Sequence, residues 1–310
     1  MSLFGPAKPA PRTESEADAQ ERRRRAARLR AIEITTNRVV DETLAGQYHS
    51  VFKGRGLEFD RVRLYTPGDD VRAIDWNVTA RAREPYIRQY HEERELSVML
   101  LVDGSASGLF GTRGDQKREQ MAELSALLAF SAIRNNDKVG LMLFTDKVET
   151  LILPKKGRKH VLRVVNDILE YRPEGQGTRI GEALTYLSRL RLHRSVVFLI
   201  SDFLDQGFED ALRIVARRHD LVGFEVGDPA ERELPALGLV PMEDPETGIV
   251  QWVDTSDPAV RREFEKSRGE HDRNLEHLFR RHRVELVRMN CGEDYIPRLV
   301  AFFRRRAKRH

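Results

Sequence analysis

Apolar residues along this chain gather into two runs, Leu96–Val102, interrupted only by Ser97, and Val196–Ile200. Both have strand length, and runs of this kind suit strands covered on both faces by helices. Between and after them the apolar spacing turns helical. Helices are predicted over Lys117–Arg134, Arg158–Tyr171, Arg179–Leu190, Phe208–Arg218, Pro258–His282 and Ile296–Arg306, with Pro258 suited to a first turn. Lys138–Phe144 and Val148–Leu153 read as a hairpin turning at Thr145–Lys147, and Leu237–Val253 reads as a second, turning over Asp244–Gly248. Leu221–Val226 and Val284–Val287 supply further strands. Strands alternating with helices predict an α/β fold, a doubly wound and mostly parallel sheet.

The first third of the chain follows a different pattern. Residues 1–20 are rich in Pro, Ala and acidic residues without periodicity, and read as a disordered tail. Glu21–Leu44 has a modest helical stripe in Leu29, Ile32, Val39 and Val40, and Val62–Tyr65 and Tyr86–Tyr90 alternate as strands do. The expected organisation is a tail (1–20), a helix with a β-rich extension (21–95) and the α/β domain (96–310). Within the extension, Asp69, Asp70 and Asp75 interleave with Arg61, Arg63, Arg72, Arg81 and Arg83. This pattern fits ordinary ion pairs or a docking surface, with Trp76 expected to anchor the extension to the α/β domain.

Candidate chemistry concentrates where the first apolar run ends. Asp103-Gly104-Ser105-Ala106-Ser107 places one carboxylate and two hydroxyls at a strand terminus. Thr178 follows Gly175-Gln176-Gly177 ahead of a helix, and Asp202 ends the second apolar run. Loops at the carboxyl ends of adjacent parallel strands converge, so Asp103, Ser105, Ser107, Thr178 and Asp202 can meet. A hard divalent cation such as Mg²⁺ or Mn²⁺ takes oxygen ligands of this kind, and neutral hydroxyls leave it able to accept a carboxylate from outside. The alternative is that Ser105 and Ser107 cap the following helix and Asp202 is a turn residue.

These five residues resemble the metal-ion-dependent adhesion site of von Willebrand factor A domains. The region before them, Gly54-Arg55-Gly56-Leu57-Glu58-Phe59 with Tyr65-Thr66-Pro67-Gly68-Asp69-Asp70 and Ile74-Asp75-Trp76, resembles the bacterial domain-of-unknown-function fifty-eight family. The resemblance implies a von Willebrand factor A-like, Rossmann-type domain with a β-rich N-terminal extension. It further implies a partner, a MoxR-type AAA+ ATPase or its client, that contributes an acidic residue to the metal during maturation or remodelling of a client complex.

Composition narrows the remaining classes. The 310 residues carry 53 Lys and Arg against 49 Asp and Glu, a formal charge of +4, so the chain as a whole is not a polyanion binder. The single cysteine, Cys291, cannot form an internal disulfide and reads as a small buried residue of a cytoplasmic protein. No apolar run approaches the roughly 20 residues needed to cross a bilayer, so no direct membrane insertion is expected. No GxxxxGK[ST] loop or GxSxG turn is present, Gly54-Arg55-Gly56 lacks the third glycine of a phosphate loop, and His271, His277 and His282 are not spaced as a zinc pair. The reading is a cation-dependent protein-binding adaptor rather than an enzyme. The alternatives are a metal-dependent hydrolase, or nucleic-acid binding through Arg22–Arg25 and Arg304–His310.

Overall fold

The computed structural model describes residues 30, 33, 34, 38, 58–91, 96–105, 114–175, 177–243 and 249–308. The expected tail, most of the helix at 21–44, Gly54–Gly56, Ser107 and the turn at 244–248 lie outside the described residues.

The long apolar runs form the middle of a six-stranded sheet. Its strands are β3 (Ser97–Asp103), β4 (Lys138–Phe144), β5 (Val148–Lys155), β6 (Val196–Ser201), β7 (Asp220–Gly227) and β10 (Glu285–Asn290), in the order β10-β7-β6-β3-β4-β5. All are parallel except β5, which closes the predicted hairpin with β4 in antiparallel fashion. Every residue of β6 is buried, whereas the edge strand β5 is only partly buried, which explains why β6 reads as unbroken apolar sequence and β5 does not.

Helices cover both faces of this sheet. On one face Val98, Leu100 and Val102 pack against α2 (Gly114–Arg134), α3 (Arg158–Glu170) and α7 (Ile296–Ala307). On the other, Met99 and Leu101 pack against α4 (Ile180–Arg189), α5 (Glu209–Arg218) and α6 (Pro258–Arg281). Alternate residues of one strand thus feed two cores, as the two-residue period of a strand requires. The α3 stripe Val161, Val164, Val165 and Ile168 and the α4 stripe Ile180, Ala183, Leu184 and Leu187 have the three-and-four spacing of amphipathic helices. From Gln120 to Ala132 the helix α2 is buried almost all round. Its Ser125 and Ser131 hydroxyls donate to the Met121 and Leu127 carbonyls, which satisfies them inside the core.

Cys291 is buried, as its sequence context suggests. Two smaller antiparallel pairs complete the described residues: β1 (Glu58–Leu64) with β2 (Tyr86–His91), and β8 (Leu239–Glu243) with β9 (Val250–Asp254), the second predicted hairpin. Between β1 and β2 the chain forms a helix, α1 (Trp76–Ala82), where β structure was expected. Its cause is local: Asp75 caps it by accepting from the Asn77 and Val78 amides, and Asp70 caps a preceding 3-10 turn. Arg63 grips Asp69 through two hydrogen bonds of 2.8 and 2.7 Å. Asp69 thus pairs with arginine as the ion-pair reading expected, whereas Asp70 and Asp75 serve as caps. Trp76 does not serve as the expected anchor, since it is 67% exposed at the start of α1. Among the described residues no helix is long and apolar enough to cross a membrane.

Candidate functional site

The strand order sets the location. The chain runs from β3 outward to β4 and β5, then returns to β3's other side to add β6, β7 and β10. The helix α2 after β3 joins one core and α5 after β6 joins the other. The connections leaving the carboxyl ends of β3 and β6 therefore part toward opposite faces and open a crevice between them, the usual ligand position in open α/β sheets. Asp103 ends β3 and Asp202 directly follows β6, so both carboxylates stand at this crevice.

Asp103 is 6% exposed. One carboxylate oxygen accepts from the Ser105 amide at 3.0 Å and the other from the Ser201 hydroxyl at 2.6 Å. Burial, joined by the charge of Asp202, pushes its carboxyl up to about 7 against the pull of the serine hydrogen bonds. Ser105 is itself buried, at 4% exposure. The turn is clamped from above by an aromatic ring: a Cβ at Gly104 would lie 2.0 Å from Cε1 of Tyr171. Only glycine fits there, which accounts for the small residue between Asp103 and Ser105.

Asp202 is 2% exposed and is held by a cation from the fold itself. The Lys117 ammonium, fully buried in the first turn of α2, donates to Asp202 at 2.8 Å and to Glu231 at 2.7 Å. Burial works against its charge, yet the two carboxylates hold the ammonium above the ordinary lysine range. The second Asp202 oxygen accepts from the Leu204 amide at 3.3 Å. Ser201 anchors the same turn from the other side by accepting from the Phe203 amide, with Phe203 in the left-handed region at φ 55°.

Thr178 is carried on a loop fixed at three points. The Arg179 amide donates to the Thr145 carbonyl at the end of β4, and the Ile180 amide donates to Asp205 at 2.7 Å in the loop after β6. Upstream, Glu149 accepts from the Gly175 amide at 2.8 Å and the Thr145 hydroxyl at 2.7 Å. Burial opposes its charge, but these donors hold the Glu149 carboxyl down at about 2. A Cβ on Gly175 would lie 2.0 Å from Asp146, so this close approach again demands glycine. Thr178 is 8% exposed and its hydroxyl has no hydrogen-bond partner among the described residues. A buried hydroxyl left unpaired costs about 1–3 kcal/mol, which marks it as a position suited to an additional ligand.

Four of the five residues singled out in the sequence, Asp103, Ser105, Thr178 and Asp202, thus lie on loops tied to one another at the carboxyl edge. Ser107 is outside the described residues. Among the described residues no three His, Cys, Asp or Glu side chains are grouped as metal ligands, so a cation here would depend on hydroxyl and water oxygens. The donor set fits a hard divalent ion on that basis. Asp103 is free of basic partners among the described residues, Thr178 has an unused oxygen, and Asp202, occupied by Lys117, is suited to act through water.

Sequence reasoning missed Ser201, Lys117, Glu231 and Tyr171. Ser201 was accessible in principle, since it falls two residues after Leu199 and so shares a face with the apolar series that ends beside Asp103. Lys117 stands four residues before the core residue Met121, a charged residue in register with a buried stripe, and that is a usable signal.

With this geometry in hand, comparison with known proteins gives the following. The family model described as Protein of unknown function DUF58 matches residues 61–274. Uncharacterized protein Rv1480 of Mycobacterium tuberculosis is 33% identical over 280 residues, covering 89% of this chain and 88% of that protein. Among solved structures, the conserved hypothetical protein BatB from Bacteroides thetaiotaomicron aligns with a TM-score of 0.44 at 20% identity, covering 69% of this chain and 99% of that one. The SpRpn10 VWA domain aligns with a TM-score of 0.36 at 12% identity, covering 66% and 94%.

Proposed function

This chain belongs to the DUF58 family of proteins of unknown function, and for it we propose divalent-cation-dependent protein binding centred on Asp103. The observation that carries the proposal is a buried carboxylate whose donors among the described residues are all neutral, accompanied by a buried Thr178 hydroxyl without a partner. Asp103, Ser105, Ser107 and Thr178 would hold the cation directly, and Asp202 through water because Lys117 and the Leu204 amide occupy its oxygens. A bound Mg²⁺ or Mn²⁺ would supply positive charge that a carboxylate of another protein can complete.

In this reading residues 96–310 form the binding module and 21–95 its extension. The role is that of an adaptor, not an enzyme. Membership of the DUF58 family extends the proposal to a MoxR-type AAA+ ATPase, or its client, as the protein that brings the acidic residue.

The test pairs a direct measurement with a partner assay. Calorimetry with Mg²⁺ should give saturable binding to the wild type and a loss of about 100-fold or more in Asp103→Ala. Circular dichroism should be unchanged, because removing one of two neighbouring buried carboxylates relieves repulsion. Association with protein partners should require Mg²⁺ and vanish both with EDTA and in Asp103→Ala. Partner binding that stays Mg²⁺-dependent in Asp103→Ala would sink the assignment.

A further inference from the structure

The opposite edge of the same sheet carries a site of opposite charge. A cleft of about 510 Å³ opens where β6, β7 and β10 begin, between the carboxyl ends of α5 and α6. Strands of about six residues span roughly 20 Å, which separates this cleft from the crevice at Asp103. Five arginines line it: Arg194, Arg213, Arg217, Arg281 and Arg283. Among the described residues the only acidic lining residue is Asp220, and it is paired with Arg306 of α7.

The cluster combines concavity with a shortage of counter-charge. Several arginines elsewhere find carboxylates: Arg63 with Asp69, Arg298 with Glu293, and three arginines on Glu225. In the cleft Arg213 pairs with Asp210, but Arg194, Arg217, Arg281 and Arg283 have no acidic partner among the described residues. Repulsion among four gathered guanidiniums is relieved by solvent or by an anion, and the concavity gives an anion a defined seat.

Two further features point the same way. His219 is buried in the cleft wall, and its Nδ1 accepts from the Ser195 amide at 3.2 Å, which leaves Nε2 to carry the proton as a donor. Arg283 sits in the left-handed region at φ 56°, where glycine would adopt the same backbone without steric cost. The chain therefore holds a guanidinium at the lip of the cleft against a local backbone preference.

We propose that this cleft binds an oligophosphate, a small anion with two or more linked phosphate groups, through Arg194, Arg217, Arg281 and Arg283. Guanidinium forks match phosphate oxygens in pairs, and four uncompensated positive charges balance the charge of a linked phosphate chain. The apolar lining residues are Ala216, Leu221 and Val284, and the lining includes two imidazoles, His219 and His282, but no Phe, Tyr or Trp ring to serve as a stacking platform for a nucleobase. Recognition therefore rests on the phosphates, and the grouping around one concavity differs from the extended basic track of a nucleic-acid binder. The proposal is independent of the cation site.

The experiment is calorimetry on the full chain with sodium tripolyphosphate at physiological ionic strength, with EDTA present so that the cation site plays no part. Saturable binding is expected, weakened about 30-fold or more in Arg217→Ala/Arg281→Ala. The same loss of charge at paired, exposed arginines elsewhere, Arg163→Ala/Arg298→Ala, should change affinity less than about twofold. ATP should bind within about threefold of tripolyphosphate, because the base is not read, while orthophosphate should bind far more weakly. Asp103→Ala should bind tripolyphosphate as the wild type does. The proposal is overturned by the absence of saturable binding, by equal losses in the two double variants, or by a short single-stranded RNA that binds more tightly than tripolyphosphate and loses affinity with the same cleft variant.

Discussion

Asp103 and Glu225 are both buried carboxylates near the carboxyl edge of the sheet, with β6 between their strands, Ser201 of β6 being bonded to Asp103 and aligned in register with Glu225. Glu225 is fully buried and receives Arg232 at 3.0 Å, Arg268 at 3.1 Å and Arg288 at 2.8 Å. Among the described residues Asp103 receives amide and hydroxyl donors only. The fold thus builds permanent counter-charges around one carboxylate and leaves the other to share a crevice with Asp202, whose cation is already divided with Glu231. The lesson is that burial alone does not identify a functional carboxylate. The identity of its partners does, because a fixed guanidinium closes a site whereas hydroxyls leave it open to an exchangeable cation.

The largest expected effect tests the closed side of this contrast. Glu225→Gln leaves three arginines around a neutral amide and should cost about 3–5 kcal/mol in urea unfolding. A cost below about 1 kcal/mol would mean that water already compensates those arginines, and the contrast with Asp103 would lose its basis.

A smaller effect tests the open side through pH. In the folded protein the Asp103 carboxyl titrates near 7, against 3.8 for the ordinary group. Between these values the folded state keeps a proton that the unfolded state has released, so the contribution of this group to stability falls as pH rises through the window. With EDTA present, stability should drop by about 2 kcal/mol between about pH 5 and pH 8 relative to Asp103→Asn, whose profile should be flatter. Mg²⁺ should reverse the drop in the wild type and not in the variant. Parallel profiles for both proteins would show that Asp103 is ionised throughout and already compensated.

The smallest effect sharpens the picture at Thr178. Thr178→Ala removes the desolvation cost of an unpaired buried hydroxyl but also loses a buried methyl, and the two offset, so stability in EDTA should change by less than about 1 kcal/mol while Mg²⁺ binding weakens about fivefold. If the site changes coordination when a partner docks, the loss in partner binding should exceed the loss in Mg²⁺ binding. A clear destabilisation without metal would assign the hydroxyl a structural bond instead.

Much of the architecture was legible from periodicity. The two long apolar runs became β3 and β6, and the helices from Arg158 onward match their predicted spans to within about two residues. The extension was less legible. Its aspartates were visible, but the helix α1 depends on Asp75 capping rather than on an apolar stripe, and Trp76 lies exposed where its size suggested packing. In the C-terminal basic run, Arg306 is a buried partner of Asp220 stacked 5.9 Å over Phe302, so part of an apparent anion-binding tail belongs to the core.

The sequence by itself determined that oxygen-bearing side chains end two central strands, because the boundary between apolar run and polar turn is local and covalent neighbours report it. It also determined the alternation of strand and helix, which follows from side-chain periods of about 2 and 3.6 residues. Tertiary structure alone decided which charges face one another. Lys117 lies 85 residues from Asp202 in sequence and Arg288 lies 63 from Glu225, yet each pair is in hydrogen-bond contact. It also gathered Arg194, Arg217 and Arg281–Arg283 into one cleft, because strand order, which no local pattern encodes, places the starts of β6, β7 and β10 side by side. Electrostatic partners depend on distance through space and on local dielectric, and both exist only once the chain has folded.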